Sequence, residues 1–456
     1  MYQGYVLPEK TKADDYENVC QDYEHMLVAV MRALADRFDT DYPFVNTKLS
    51  LLTGKDFDAN DQIRGRNAVY GWIQGRGLEA LAGHCAWLKE KGLDDGLVLH
   101  LSDMIRLVLD RVCHMWRQNG ERLWFFMLPD GRPFVLGDGG KPVPFVLTSE
   151  MPYGFSDLFA SKGMYAAACY LEDEDAKEDA LRYIEAVDDA IWAGRFENDQ
   201  VTLDPQNPVT PLPGRIMHGP FMIQIGTAAM LVLQGEARGV AMGLRLIRHE
   251  LDHYVNLDGR VSHLGDGDMW EAIGEDGLPY LETNGAILSD PGHALEFVGL
   301  ALKFLEAAKA LGLLNEKQHE GLAYFEVVMP GILKRNFENG FLGKGINKAF
   351  DLVSRKPMNT DLPWWNLPET MRAAVFCKKI ATEERDLLVC DDVFRKCHNA
   401  FVQNFVRPDL MAYQTITEFG DPVDVIPATA DADPGYHTGL SMIDVLDTLD
   451  SLYFNP

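Results

Sequence analysis

A histidine and a carboxylate three residues apart are the first side chains in this sequence that could transfer a proton. His293 and Glu296 follow Pro291-Gly292, and apolar residues at three- and four-residue spacing continue through residue 305. A helix is therefore predicted to begin here, with both side chains on its first turn and directed into the same space. This pair suits general acid–base chemistry. A capped helix start with an ordinary surface histidine has the same pattern, so the rest of the chain must decide between them.

Further candidate side chains lie at the starts or in the middle of other predicted helices and near the C-terminus. They are Trp72 and Arg76, then Trp364, Trp365 and Glu369, and lastly Tyr436-His437. Indoles can stack on the C–H face of a sugar, and a guanidinium can bind hydroxyls or a carboxylate. Each also has a structural explanation, since paired tryptophans pack in cores and helical arginines form ion pairs.

Apolar residues with helical spacing recur along most of the chain and must position these side chains. The predicted helices cover residues 15–37, 67–91, 96–119, 155–171, 174–193, 222–234, 237–255, 292–311, 316–334, 367–382 and 385–405. Residues 123–147 instead predict a short β-hairpin around the turn at residues 129–132. Repeated helical hairpins with long loops on one face favour an all-α (α/α)6 barrel over an open solenoid. No linker divides the chain, so residues 1–456 are predicted to form a single domain.

Composition and charge narrow the classes of partner. The chain has 456 residues, 47% of them hydrophobic, and a formal net charge of −27. Such acidity argues against binding to a nucleic-acid backbone or to an anionic membrane surface. The N-terminal residues lack a signal-peptide pattern, and no apolar run is long enough to span a bilayer. The seven cysteines include no CxxC pair, so a cytoplasmic protein with reduced thiols is expected.

Taken in order, the candidate segments resemble the N-acylglucosamine 2-epimerase superfamily, which includes cellobiose 2-epimerases, mannose isomerases and sulfoquinovose isomerases. The resemblance extends over nearly the whole chain. Its motifs are W-x-Q-G-R at residues 72–76, F-S-D-x-F at 155–159, P-G-H-x-x-E at 291–296, W-W-x-x-x-E at 364–369, and an aromatic-histidine pair at 436–437. This resemblance implies an (α/α)6 barrel that epimerises or isomerises a small sugar without cofactor or metal, and a homodimer as in relatives.

The resemblance also implies roles for individual residues. His293 and His437 would act as the acid/base pair at C2 of an open-chain sugar, through a cis-enediol intermediate. Return of the proton to the opposite face of C2 would give the epimer, and its delivery to C1 would give the ketose. The remaining residues would bind the substrate: Arg76 at the developing oxyanion, Glu296 and Glu369 at hydroxyls or a histidine, and Trp72, Trp364 and Trp365 against the sugar ring.

Two departures from the family pattern leave the substrate branch open. Met222 stands where cellobiose 2-epimerases and isomerases have a further histidine, which is more like the N-acylglucosamine branch. His437 is followed by Thr438-Gly439 rather than by the Val-Pro-Arg of that branch. His218 could supply the missing imidazole, although a histidine at this place is expected to lie in a surface loop.

Two other classes of function compete with this interpretation. His249-Glu250-x-x-His253 fits a zinc-hydrolase motif, with Glu271 or Glu275 as a third ligand. A glycoside hydrolase on the same barrel could use two carboxylates from Glu271, Glu296 and Glu369. A sugar-binding protein without catalytic activity would need neither histidine.

Overall fold

The computed structural model describes residues 4–200, 214–312, 314–423 and 433–455, which belong to two compact units. The smaller unit comprises His25–Pro211 and Asp424–Leu440, and the larger unit comprises Met1–Glu24, Leu212–Val423 and Ser441–Pro456. Helix α1 (Ala13–Asp36) begins in the larger unit and ends in the smaller one. Within the described ranges, no helix combines the length and the apolar character needed to cross a membrane.

Two helical hairpins build the smaller unit. Their helices are α2 (Gly71–Lys91), α3 (Asp95–Gln118), α4 (Phe155–Leu171) and α5 (Glu174–Trp192). Helices α2 and α4 pack backbone to backbone. A Cβ atom added at Gly75 would lie 2.3 Å from the backbone carbonyl carbon of Phe159, and one at Gly163 would lie 2.1 Å from the carbonyl oxygen of Gly75. Gly75 therefore permits this close approach of the two helices.

Short antiparallel strands complete the smaller unit. They are β1 (Leu49–Ser50), β2 (Lys55–Asp56), β3 (Val69–Tyr70), β4 (Phe126–Met127), β5 (Phe134–Leu136) and β6 (Pro142–Pro144). The predicted turn is present, because the amide of Leu128 donates to the carbonyl oxygen of Arg132 at 2.8 Å. The pairing is different from a simple hairpin, since β4 pairs with β3 and β5 pairs with β6.

Besides the start of α1, the described residues of the larger unit form seven α-helices. They are α6 (Gly219–Leu233), α7 (Arg238–His253), α8 (Pro291–Leu311), α9 (Glu316–Gly340), α10 (Asn366–Ile380), α11 (Glu384–Asn404) and α12 (Ser441–Leu449). In the hairpins α6–α7, α8–α9 and α10–α11, the first helix is buried along most of its length. Helices α7 and α11 bury one side only, as expected of helices with one polar face.

The strands of the larger unit bring distant loop segments to the start of α8. They are β7 (Ile216–Met217), β8 (Ala272–Ile273), β9 (Leu288–Ser289), β10 (Ala349–Asp351), β11 (Lys356–Asn359), β12 (Leu362–Pro363) and β13 (Thr415–Ile416). β7 pairs with β8, β10 lies between β9 and β11, and β12 pairs with β13. All of these pairings are antiparallel.

The predicted helices are confirmed, with ends that differ by a few residues. Two differences are larger: α9 continues through Pro330 to Gly340, and α12 was missed. Parts of residues 202–220 and 414–437, in which the sequence predicts almost no helix and no strand, lie outside the described residues. The single domain over residues 1–456 stays a prediction.

Candidate active site

Short strand pairings set two polar residues beside the N-terminus of α8. His218 directly follows β7 and Glu271 directly precedes β8, and the ladder pairs Met217 with Ala272. The amide of His218 donates to the carbonyl oxygen of Glu271 at 3.2 Å. The amide of Glu271 donates to the carbonyl oxygen of Leu288 at 2.9 Å, two residues before Asp290, which caps α8. His218 and Glu271 are thus fixed through their own backbones.

The Glu271 carboxylate lies between two imidazoles. Its Oε1 is 3.1 Å from Nε2 of His218 and accepts the backbone N–H of Asp290 at 3.2 Å. Nδ1 of His293 lies 3.2 Å from Oε1 and 3.1 Å from Oε2 of the same carboxylate. The two imidazole rings stand edge to face, with their centroids 5.7 Å apart. His218, Glu271 and His293 therefore form one connected group, called here the His–Glu–His cluster.

His218 is buried between two carboxylates. Its residue exposure is 0%, and its Nδ1 lies 3.4 Å from Oε2 of Glu250, which is also fully buried. Burial opposes charge on the ring, but the charges of Glu271 and Glu250 outweigh it and raise the pKa of His218 to about 10. The expectation of a surface-loop histidine was therefore wrong, because the β7–β8 pairing draws this residue into the interior.

His293 is the member of the cluster that a substrate can reach, because 29% of its side chain is exposed. Its ring stacks on the indole of Trp365, with centroids 5.2 Å apart and an interplanar angle of 30°. Burial lowers the pKa of His293, but the charges of Asp290 and Glu271 raise it by more, so the pKa lies above its ordinary value. Lys348 opposes them, and its Nζ lies 2.6 Å from Oδ2 of Asp290.

The other predicted site residues of the larger unit are Glu296, Trp364, Trp365 and Glu369, and all are buried. Glu369 accepts a hydrogen bond from Arg372, whose Nη1 lies 3.6 Å from Oδ2 of Asp444. The carboxylate hydrogen-bonded to His293 is that of Glu271, which comes from a different segment of the chain. An orienting role for Glu296 or Glu369 stays a prediction.

Arg76 of the smaller unit is surrounded by aromatic rings. Its guanidinium carbon lies 4.1 Å from the ring centroid of Phe159 and 5.3 Å from that of Tyr436. His437 is buried beside Tyr436, with ring centroids 4.9 Å apart in an edge-on arrangement. The Tyr436 hydroxyl accepts a hydrogen bond from Nζ of Lys162 at 3.0 Å. The sequence motifs at residues 72–76 and 436–437 therefore meet within this unit.

The Trp72 indole is anchored by a carboxylate that the sequence did not indicate. Its Nε1 donates to Oδ1 of Asp199 at 3.0 Å, and its ring packs edge-on against Phe125 and Phe155. Burial raises the pKa of Asp199 to about 6. Trp72 is 5% exposed, so it belongs mainly to the core.

The competing zinc motif does not assemble a metal site among the described residues. His249 and His253 lie side by side at the end of α7, with ring centroids 4.6 Å apart, but no group of three ligating residues there contains both. Glu250, the supposed base, faces His218 instead.

The His–Glu–His cluster does bring three ligating atoms within 4.8 Å of one another. However, Glu271 Oε1 already accepts the amide N–H of Asp290 and lies within hydrogen-bonding distance of both imidazoles. A network of N–H donors on one carboxylate accounts for these distances without a metal ion.

Glu271 was not predicted as the partner of His293. The sequence indicated this glutamate only as a zinc ligand or a hydrolase carboxylate. Its position depends on the pairing of two-residue strands whose partners Met217 and Ala272 are 55 positions apart in sequence (272 − 217). Such short strands leave little periodicity to read.

No protein-family model matches the chain, and no curated protein matches it either. Several solved structures do match the chain. A cellobiose 2-epimerase from Spirochaeta thermophila shares 14% identity, with 96% of this chain and 98% of that chain covered and a TM-score of 0.68. A sugar epimerase from a ruminal bacterium shares 12%, with coverages of 94% and 98% and a TM-score of 0.67.

A D-mannose isomerase shares 11% identity, with coverages of 92% and 97% and a TM-score of 0.60. The chain has the fold of these helical-barrel proteins. The predicted fold class, an all-α (α/α)6 barrel, is thereby confirmed.

Proposed function

We propose that the protein is a sugar 2-epimerase or aldose–ketose isomerase that transfers a proton at C2 of an open-chain sugar. The observation that carries the proposal is the environment of His293. Its Nδ1 is hydrogen-bonded to a buried carboxylate, and its ring is partly exposed and stacks on an indole. The similar structures described as cellobiose 2-epimerase and D-mannose isomerase support the same class of reaction.

Histidine suits this chemistry because an imidazole can accept and return a proton near neutral pH. In the proposed reaction a histidine takes the proton from C2. The electrons of the C–H bond form the C1–C2 double bond, and the C1 carbonyl oxygen gains a proton, which gives the cis-enediol. A proton returned to the opposite face of C2, with loss of the proton on the C1 hydroxyl, gives the epimer, and one delivered to C1, with loss of the proton on the C2 hydroxyl, gives the ketose. No oxidant or reductant is consumed.

We assign the two acid/base roles to His293 and His437. The pairing of these two histidines rests on the motif resemblance, and so do the substrate-binding roles of the other residues. Those residues are Arg76, Trp72, Glu296, Trp364, Trp365 and Glu369. The stacking of His293 on Trp365 places this indole directly beside the proposed acid/base imidazole.

The substrate branch, the cytoplasmic location and the homodimer stay predictions. Met222 is buried and lies in the first turn of α6, and the sequence pattern at this residue favours the N-acylglucosamine branch. The alternative functions are less well supported. Glu250 and Glu271 are both engaged by His218, and Glu369 by Arg372, so these carboxylates are poor candidates for a zinc base or a hydrolase pair.

Proton NMR of a sugar panel in D₂O tests the proposal. Mannose, glucose, fructose, N-acetylmannosamine, cellobiose and sulfoquinovose are each incubated with the protein, with and without a chelator. The proposal expects deuterium at C2 and a new epimer or ketose for one of them, unaffected by the chelator. Exchange at C2 in none of them, or exchange that the chelator stops, would contradict it.

A further inference from the structure

We propose that Glu271 and His218 are positioning residues that hold His293 as its Nδ1–H tautomer, so that Nε2 is the nitrogen that exchanges a proton with the substrate. The consequence for catalysis rests on the proposed function. The tautomer itself follows from the geometry of the cluster and can be tested without any substrate.

Glu271 is held in place independently of His293. Its amide and carbonyl groups bond to Leu288 and His218, and its Oε1 accepts the backbone N–H of Asp290. The amide of Asp290 can only donate, so the orientation of the carboxylate is set by the backbone at the start of α8. The carboxylate of Glu271 therefore presents its acceptor oxygens to His293 in a fixed direction.

His218 supplies the charge that keeps this acceptor ionised. Its two ring nitrogens face two different carboxylates, Nε2 toward Glu271 at 3.1 Å and Nδ1 toward Glu250 at 3.4 Å. Because the residue has no exposed surface, a neutral ring would leave one of these nitrogens as a buried lone pair facing a carboxylate. An imidazolium with a proton on each nitrogen suits both contacts, and its charge stabilises Glu271 as an anion.

An ionised Glu271 fixes the proton on His293. Nδ1 lies within 3.2 Å of both carboxylate oxygens, and a carboxylate only accepts hydrogen bonds, so Nδ1 must carry the hydrogen. The neutral form of His293 then has its lone pair on Nε2, while the charged form differs only by a proton at that same atom. Stacking on Trp365 restrains the ring plane, so proton transfer occurs at one atom in one orientation.

Nitrogen-15 NMR of the histidine-labelled wild-type protein tests the tautomer directly. His293 and His218 are assigned with the variants His293→Gln and His218→Gln. Once the pH is raised until the ring of His293 is neutral, the expected spectrum shows His293 protonated at Nδ1 and unprotonated at Nε2, and His218 protonated at both nitrogens. A His293 signal protonated at Nε2 alone, or a neutral His218, would overturn the inference whether or not any sugar reacts.

Kinetics of the variant Glu271→Gln test the positioning role. Its C2-exchange kcat is expected to fall about a hundredfold, within the range of general acid–base contributions, with KM changed by less than about threefold. The matched control Glu275→Gln removes an exposed carboxylate four residues away, on the other side of β8, and it is expected to keep the wild-type rate. A Glu271→Gln enzyme with wild-type kcat would overturn the role.

The pH profile separates positioning from a merely structural effect. The charges near His293 are those of Glu271, Asp290, Lys348 and the imidazolium of His218, and Glu250 lies behind His218. Loss of the Glu271 charge should move the acidic limb of kcat/KM to lower pH, because that charge favours protonated His293. An unmoved limb in an active Glu271→Gln enzyme would contradict the inference. If no sugar is turned over by the wild type while NMR shows the expected tautomer, the proposed function fails and the assignment of the tautomer stands.

Discussion

The buried imidazolium of His218 should make the free energy of unfolding fall as the pH rises above 7. The perturbation is the double substitution His218→Gln with Glu250→Gln, which removes the cation together with one of its two carboxylates. The net charge of the pair is unchanged, and no uncompensated carboxylate is left beside the substituted ring. Glu271 keeps the backbone N–H of Asp290 and the imidazole of His293 as partners.

The magnitude follows from the proton that the folded protein retains. The pKa of His218 is about 10 in the folded protein, and its ordinary value is 6.5. The raised pKa contributes stability that is fully present below pH 6.5 and is lost as the pH rises through 10. Between these values the folded state binds one more proton than the unfolded state, so the free energy of unfolding falls by about 1.4 kcal/mol per pH unit. From pH 7 to pH 9 the loss from this residue is about 2.5 kcal/mol.

Urea denaturation at pH 7, 8 and 9 measures this effect as the difference in unfolding free energy between wild type and double variant. The difference should shrink by about 2.5 kcal/mol over this range. The substitution His263→Gln, at an exposed histidine of the same unit, controls for the loss of an imidazole elsewhere. Parallel curves for wild type and double variant would refute a buried imidazolium at His218.

Two further predictions concern packing and the competing metal motif. Gly75→Ala should destabilise the protein by about 1–3 kcal/mol or more, because the new methyl group would meet the backbone of Phe159; Gly321→Ala, in an uncrowded part of α9, should instead stabilise it by up to about 1 kcal/mol. Chemical denaturation of both variants checks this, and equal effects would show that α2 and α4 do not touch at Gly75. His249→Ala should keep sugar turnover while lowering the melting temperature, since its ring packs 4.3 Å from that of Phe221. One equivalent of bound zinc in the wild type that this variant loses would revive the hydrolase interpretation.

The helices could be predicted from sequence because their apolar spacing records which side of each helix is buried. The start of the helix that carries His293 could also be predicted, because Pro291-Gly292 marks the start of α8. The partner of His293 could not be recognised. Glu271 reaches it through the pairing of two-residue strands, and a strand of two residues has almost no periodic signature.

His218 is a second site residue whose position could not be predicted from the sequence. As a histidine before Gly219-Pro220, it looks like a loop residue, and the sequence contains no local sign that two glutamates will enclose it. Its burial is a property of the tertiary structure, because Glu250 comes from α7 and Glu271 from the loop before β8. Helix α12 was missed for a related reason, since its nine residues are short for a pattern of helical period.

Proton transfer at C2 by His293 is the central claim, and C2 exchange by matched histidine variants tests it most directly. Deuterium incorporation into the sugar that the wild-type enzyme turns over is followed by NMR in D₂O for His293→Gln and His253→Gln, with circular dichroism to confirm that both are folded. His253, in the last turn of α7, is a histidine of the zinc motif. The account predicts exchange slowed at least about a hundredfold in His293→Gln and unchanged in His253→Gln. Wild-type exchange in His293→Gln would contradict the account.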